Sequence, residues 1–166
     1  MYEPYPVSET PQDAQPPQRP EPPPSVLNAV RLMYAGAALE AIGAIITLVT
    51  IGSLKTVILN KHPGYTTAQL HTAERVAVVG TVIGGLIAIG LWLWMAWANR
   101  QGRNWARVVS AVLFGIGTLD LLGSFAQVHV TATVAFAIVV WLVGLAAIVL
   151  IFRKESAPFY GKGDAG

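Results

Sequence analysis

Two carboxylates interrupt long apolar stretches of this sequence: Glu40, within Ala-Leu-Glu40-Ala-Ile-Gly43, and Asp120, within Thr118-Leu-Asp120-Leu-Leu. On insertion scales such a side chain costs about 2.5–3.5 kcal/mol near the centre of a bilayer, so its presence asks for a partner or a purpose. At helical spacing Gly36, Glu40, Gly43 and Thr47 share one stripe, and Gly117, Asp120 and Ser124 share another. Small residues let helices approach closely and hydroxyls satisfy a buried carboxyl, so both acids are expected to face a bundle interior. Counted from the cytoplasmic ends of their helices at about 1.5 Å per residue, both lie roughly 20 Å along, at similar depth. The chemistry open to such a pair is proton or cation carriage, with desolvation favouring the neutral acid. The alternative is a neutral, hydrogen-bonded pair that fixes helix packing.

Other candidates for chemistry are weaker. Gly80-Thr-Val-Ile-Gly84 is a Gly-x-x-x-Gly pattern in a charge-free span, read as a helix-packing contact within the bundle or with another protein. His62, His71 and His129 match no compact zinc site. The chain has no cysteine, which excludes disulfides, thiolate metal sites and a cysteine nucleophile. No Gly-x-Ser-x-Gly or His-Glu-x-x-His frame surrounds the serines and histidines, and no cofactor motif is present, so no enzyme is expected.

The elements that must position the acids follow from composition. The chain has 166 residues, 54% hydrophobic and 12% charged, where soluble domains carry about a quarter charged residues. Its apolar residues come in blocks, and about 20 apolar residues span a bilayer as helix. Four such segments are read, at about 26–51, 76–98, 105–126 and 130–152, with Ser25 as a candidate N-cap for the first. The fold class is therefore all-α: a four-helix transmembrane bundle over residues 26–152, embedded in the lipid bilayer. Residues 1–25 hold nine of the eleven prolines, and read as a disordered, Pro-rich cytoplasmic tail, not as a signal peptide. Residues 153–166 read as a cytoplasmic C-terminal tail.

Orientation follows from charge. With the N-terminus inside, Arg19, Arg31, Arg100, Arg103, Arg107, Arg153, Lys154 and Lys162 fall on the cytoplasmic side, against Lys55, Lys61 and Arg75 outside. Trp92, Trp94, Trp97 and Trp105 flank the loop that carries Arg100 and Arg103, and read with Arg107 as interface anchors. The localisation expected is the cytoplasmic (inner) membrane, multi-pass, with both termini cytoplasmic. The net charge of +2 and the absence of an aromatic-interleaved basic patch speak against nucleic acid. The longest connection, about Gly52 to Arg75, lies outside; His62-Pro63-Gly64-Tyr65 reads as a turn, and Thr66 with Gln69 as a capping box.

The arrangement resembles small four-helix envelope proteins of actinobacteria, whose roles are mostly unassigned. The residues that carry this are the Pro-rich head, Ser25-Val-Leu-Asn-Ala-Val-Arg-Leu-Met33, the run Trp92-Leu-Trp-Met-Ala-Trp-Ala-Asn-Arg100 with Trp105-Ala-Arg107, and Phe152-Arg-Lys-Glu-Ser156. The resemblance implies topology and no activity. Tyr34-Ala-Gly-Ala-Ala-Leu-Glu40-Ala-Ile-Gly43 is in turn similar to the first helix of small multidrug resistance exporters. That likeness implies a shared proton and cation site at Glu40; the Pro-rich head, the long first loop and Asp120 are foreign to that family. The function expected is a non-enzymatic accessory or structural subunit of a cell-envelope or transport assembly, contacting other membrane subunits or itself. The rival is a proton-coupled small-molecule transporter using Glu40 and Asp120.

Overall fold

A computed structural model describes residues 21–49, 51–127 and 132–161. The elements are α1 (Pro24–Val49), α2 (Ile51–Lys61), α3 (Thr67–Arg100), α4 (Asn104–Gln127), α5 (Ala132–Ile151) and the short α6 (Ala157–Gly161). No strand occurs among the described residues. Four helices are long and apolar enough to cross a membrane: α1, α3, Asn104–Phe125 of α4 and Thr133–Ile151 of α5. Much of α5 is Val and Ile, which in water favour strands over helices. In a bilayer every backbone amide must be satisfied within the segment, and helix is what an isolated span can adopt.

Helix α1 packs along both α3 and α5, α4 packs on α5, and α3 and α4 meet over a shorter length. Helices α1 and α4 therefore stand at opposite corners of the bundle. The α3–α4 turn has a local cause. Gly102 adopts φ 69°, while the Gly102 amide donates to Asn99 O (3.0 Å) and the Arg103 amide to Ala98 O (3.4 Å). This is a Schellman ending, which favours glycine at the left-handed position. Helix α3 starts at the expected capping box: the Gln69 amide donates to Thr66 Oγ1 and the Thr66 amide to Gln69 Oε1. The expected turn before it is present, with the Tyr65 amide on His62 O (3.1 Å) and the two rings stacked.

The connection from Gly52 to Arg75 is mostly helix: α2 fills its first half and, in keeping with the capping box at Thr66, extra turns of α3 fill its second, so only residues 62–66 are non-helical. Two expectations need correction. Ser25 lies inside α1 and not at its N-cap; its hydroxyl instead shares a 2.9 Å hydrogen bond with Ser156. The C-terminal segment is not a bare tail over its first residues, because α6 folds back and buries Phe159 and Tyr160. The expectation for the Pro-rich head lies, for residues 1–20, outside the described residues, as does that for His129.

The buried core gathers at one end. It comprises Val26, Ala29, Val30 and Met33 of α1, Met95, Ala96 and Ala98 of α3, Ala106 of α4, Ala147 and Ile151 of α5, and Phe159 with Tyr160. Beyond it, large apolar side chains such as Leu119 (71% exposed) and Leu86 (66%) point outward. An aqueous surface does not carry that much contiguous apolar area, whereas a lipid-facing one does.

Candidate functional site

Glu40 sits where α3 and α5 close on α1. A Cβ on Gly36, one turn below it, would meet the Trp92 ring at 2.9 Å, and one on Gly43, one turn above, would meet the Phe136 ring at 2.8 Å. The missing side chains are what admit these aromatic rings. Trp92 extends from α3 across Gly36 and reaches Gly144 of α5, while its indole N–H donates to the half-buried Glu40 carboxyl. The reading of Trp92 as an interface anchor is thus corrected: its ring is an interior knob. Trp94 and Trp97 are exposed, and Trp94 stacks on Trp105 beside the turn. Thr47, two turns further out than Glu40, donates to the Gly43 carbonyl at 2.9 Å.

Asp120 is exposed, and among the described residues its carboxylate has no hydrogen-bond or ion-pair partner. Ser124 donates to the Asp120 backbone carbonyl (3.0 Å), not to the carboxylate. The expected pairing with Glu40 is not formed, and the two differ in depth. Glu40 lies level with Trp92, about 5 Å beyond Met95, whereas Asp120 lies about 15 Å beyond Ser110, the α4 residue that touches Met95. Counting from helix ends misled because the first turns of α1 run below that level, beside α6.

By helical spacing, Asp120 nevertheless shares an α4 face with residues packed against the core. Val109 and Leu113 pack against the core, and Asp120 follows Leu113 by seven residues, two turns up the same face. On α3, Gly84 precedes Met95 by eleven residues, three turns along one face. The side-chain contacts that join α3 to α4 lie beside the turn: Asn99 to Ser110, Ser110 to Met95, and Trp94 to Trp105. Beyond them a Cβ on Gly80, Gly84 or Gly117 would meet nothing within 4 Å. The expected packing role of these three glycines is not realised within the chain, and that of Gly36 and Gly43 is. By helical spacing, the faces that touch at the turn continue outward through Gly84 on α3 and Gly117 on α4, with Asp120 beside it, and this strip is the α3–α4 seam.

The closed end holds a polar node that sequence reasoning missed. Asn99 is fully buried; its amide nitrogen donates to Met95 O (2.9 Å) and Ser110 Oγ (3.0 Å), and its oxygen accepts from the Tyr160 hydroxyl (3.0 Å). Ser156 Oγ donates to Leu150 O (2.9 Å) and meets Ser25. Arg107 lies over the rings of Phe152 and Tyr160, and Arg103 lies over Trp97. Burial pushes the Tyr160 phenol well above its ordinary pKa, and the Arg107 cation only partly opposes this. The phenol is therefore a fixed donor to Asn99. The signal available in the sequence was Phe159-Tyr160, an aromatic pair in a segment otherwise polar enough to be solvated.

No grouping of His, Asp or Glu that could hold a metal occurs among the described residues. His71 pairs with Glu74 at 3.4 Å. Among the described residues, fold and site together define an all-helical bundle with four helices long and apolar enough to cross a membrane, one carboxyl half-buried among them and another exposed. No protein-family model, curated protein or solved structure matches the chain.

Proposed function

We propose that this protein is a non-enzymatic subunit of a cell-envelope or transport assembly in the cytoplasmic membrane, with both termini cytoplasmic. The observation that carries the reading is the one-ended core. The spans are packed at the Asn99 end, yet Gly80, Gly84 and Gly117, small residues suited to close helix approach, face open space. A self-sufficient bundle uses such faces internally; a subunit offers them to other helices. The resemblance to small four-helix envelope proteins of actinobacteria fits the same reading. Purification in a gentle detergent, followed by mass spectrometry of what co-purifies, tests it. A stoichiometric membrane partner is expected, and recovery of the chain alone as a monodisperse monomer overturns it.

The second reading, a proton-coupled small-molecule transporter, draws support from Glu40, an acid held in the interior beside the Trp92 indole. The axial separation of about 10 Å between Glu40 and Asp120 weighs against one shared site. In proteoliposomes, Glu40→Gln that folds normally and abolishes proton-driven uptake or efflux would establish transport over the subunit reading.

A further inference from the structure

We propose that the seam between α3 and α4 is the docking site for a transmembrane helix of another protein that carries a lysine or arginine at the depth of Asp120, about 8 Å from the Phe125 end of the α4 span. The inference rests on the subunit reading and names the surface and chemistry of the contact. Three observations carry it. By helical spacing Gly84 continues the face of Met95 and Gly117 that of Ser110, the two residues in contact, and a Cβ on either glycine would meet nothing within 4 Å. Gly84 lies about 16 Å beyond Met95 and Asp120 about 15 Å beyond Ser110, so the carboxylate and the glycine notch stand at one depth. Glycines at that depth admit the backbone of an incoming helix, and the carboxylate supplies the polar contact that fixes its register.

Charge decides the occupant. Asp120 needs a cation or a strong donor at its own level, and hydrocarbon tails supply neither. Among the described residues of α3 and α4 none lies there: Arg107 is about 20 Å below Asp120 along α4, and Arg75 about 13 Å beyond Gly84 along α3. A second copy brings the same described spans and hence no cation at that depth. Glu40 does not compete for the incoming charge, because it sits about 10 Å deeper and is hydrogen-bonded to Trp92. A partner helix with a lysine or arginine at the depth of Asp120 meets the requirement.

The experiment uses the full chain in phosphatidylcholine vesicles, labelled at a cysteine replacing Gly163. Its probes are leucine/alanine transmembrane peptides that differ only at one position about 8 Å from one end of the span: lysine, leucine or aspartate. Energy transfer should report the lysine peptide binding at least tenfold more tightly than the leucine peptide. Asp120→Asn should reduce it to the leucine level, and Asp120→Lys should transfer the preference to the aspartate peptide. For location, Ser124→Cys should cross-link to a cysteine one turn from the peptide's lysine, whereas Val139→Cys on the exposed side of α5 should not. Equal binding of lysine and leucine peptides overturns the proposal, as does no binding at all. Disulfide formation between two copies through Gly117→Cys, with peptide excluded, overturns it in favour of a second copy. If a native partner co-purifies undiminished with Asp120→Leu, the subunit reading stands and the seam falls; if no partner co-purifies, the subunit reading falls and the peptide series still decides the seam.

Discussion

At the scale of single residues, the most constrained side chain is Asn99, fully enclosed with both amide hydrogens and its oxygen engaged. Removing one partner of a buried hydrogen bond leaves the other unsatisfied, at a cost of about 1–3 kcal/mol. Asn99→Ala strands Ser110 and Tyr160 at once and should fall at the upper end of that range, seen as a lowered midpoint of thermal unfolding in detergent. Tyr160→Phe removes one bond and should cost about 1 kcal/mol. The pH dependence separates the two variants further. Burial raises the folded-state pKa of Tyr160 above the value of about 10 that it has in an unfolded chain. Its contribution is therefore fully present below pH 10, and is lost as pH climbs from there toward the folded pKa. Wild-type protein should lose stability above pH 10 more steeply than Tyr160→Phe. Parallel curves would show that the phenol is not held as described.

At the scale of elements, the bundle is keyed by aromatic rings seated in glycine notches, Trp92 on Gly36 and Phe136 on Gly43. Overfilling such a notch forces ring and backbone apart, typically at about 1–3 kcal/mol. Gly36→Leu should lower the unfolding midpoint markedly, whereas Gly90→Leu, where a side chain would meet nothing within 4 Å, should scarcely change it. Equal effects would mean that helix propensity and not the notch governs both. The four spans were legible because length and apolarity are properties of a segment by itself. The capping box at Thr66 was legible for the same reason, being set by residues three apart. Helices α2 and α6 were not, since eleven and five residues of mixed polarity carry no span-length signal, and α6 is placed by what Phe159 and Tyr160 meet on other elements. The acids were half legible. Periodicity put Glu40 and Asp120 on small-residue faces, but whether a face is filled depends on how far neighbouring helices stay together. No local pattern in α4 records that a Cβ on Gly117 would meet nothing from a neighbouring helix.

For the molecule as a whole, the chain is gathered at one end and open at the other. Ser25 at the start of α1 meets Ser156 after α5, so the described chain enters and leaves the bundle at the same end. The turn with Arg100, Arg103 and Arg107 lies there too, bound to α6 through the Tyr160–Asn99 hydrogen bond and the Arg107 ring contacts. Lys55, Lys61 and Arg75 lie on α2 and the first turns of α3, beyond the opposite end of the core. The fold thus sorts the basic residues of the described segments into an unequal pair of ends, and by the retention of Lys and Arg on the cytoplasmic side the proposed function puts the Asn99 end inside. The absence of native cysteine makes this directly measurable. Single cysteines replacing Gln12, His62 and Gly163 would be exposed to a membrane-impermeant thiol reagent in intact cells, then again after permeabilisation. Only the cysteine at position 62 should label in intact cells, and all three should label once the membrane is opened. Labelling at 12 and 163 but not at 62 would keep the bundle and invert its orientation. Labelling at only one terminus would break the shared-end geometry that Ser25 and Ser156 define, because an even number of spans returns the chain to the side it left.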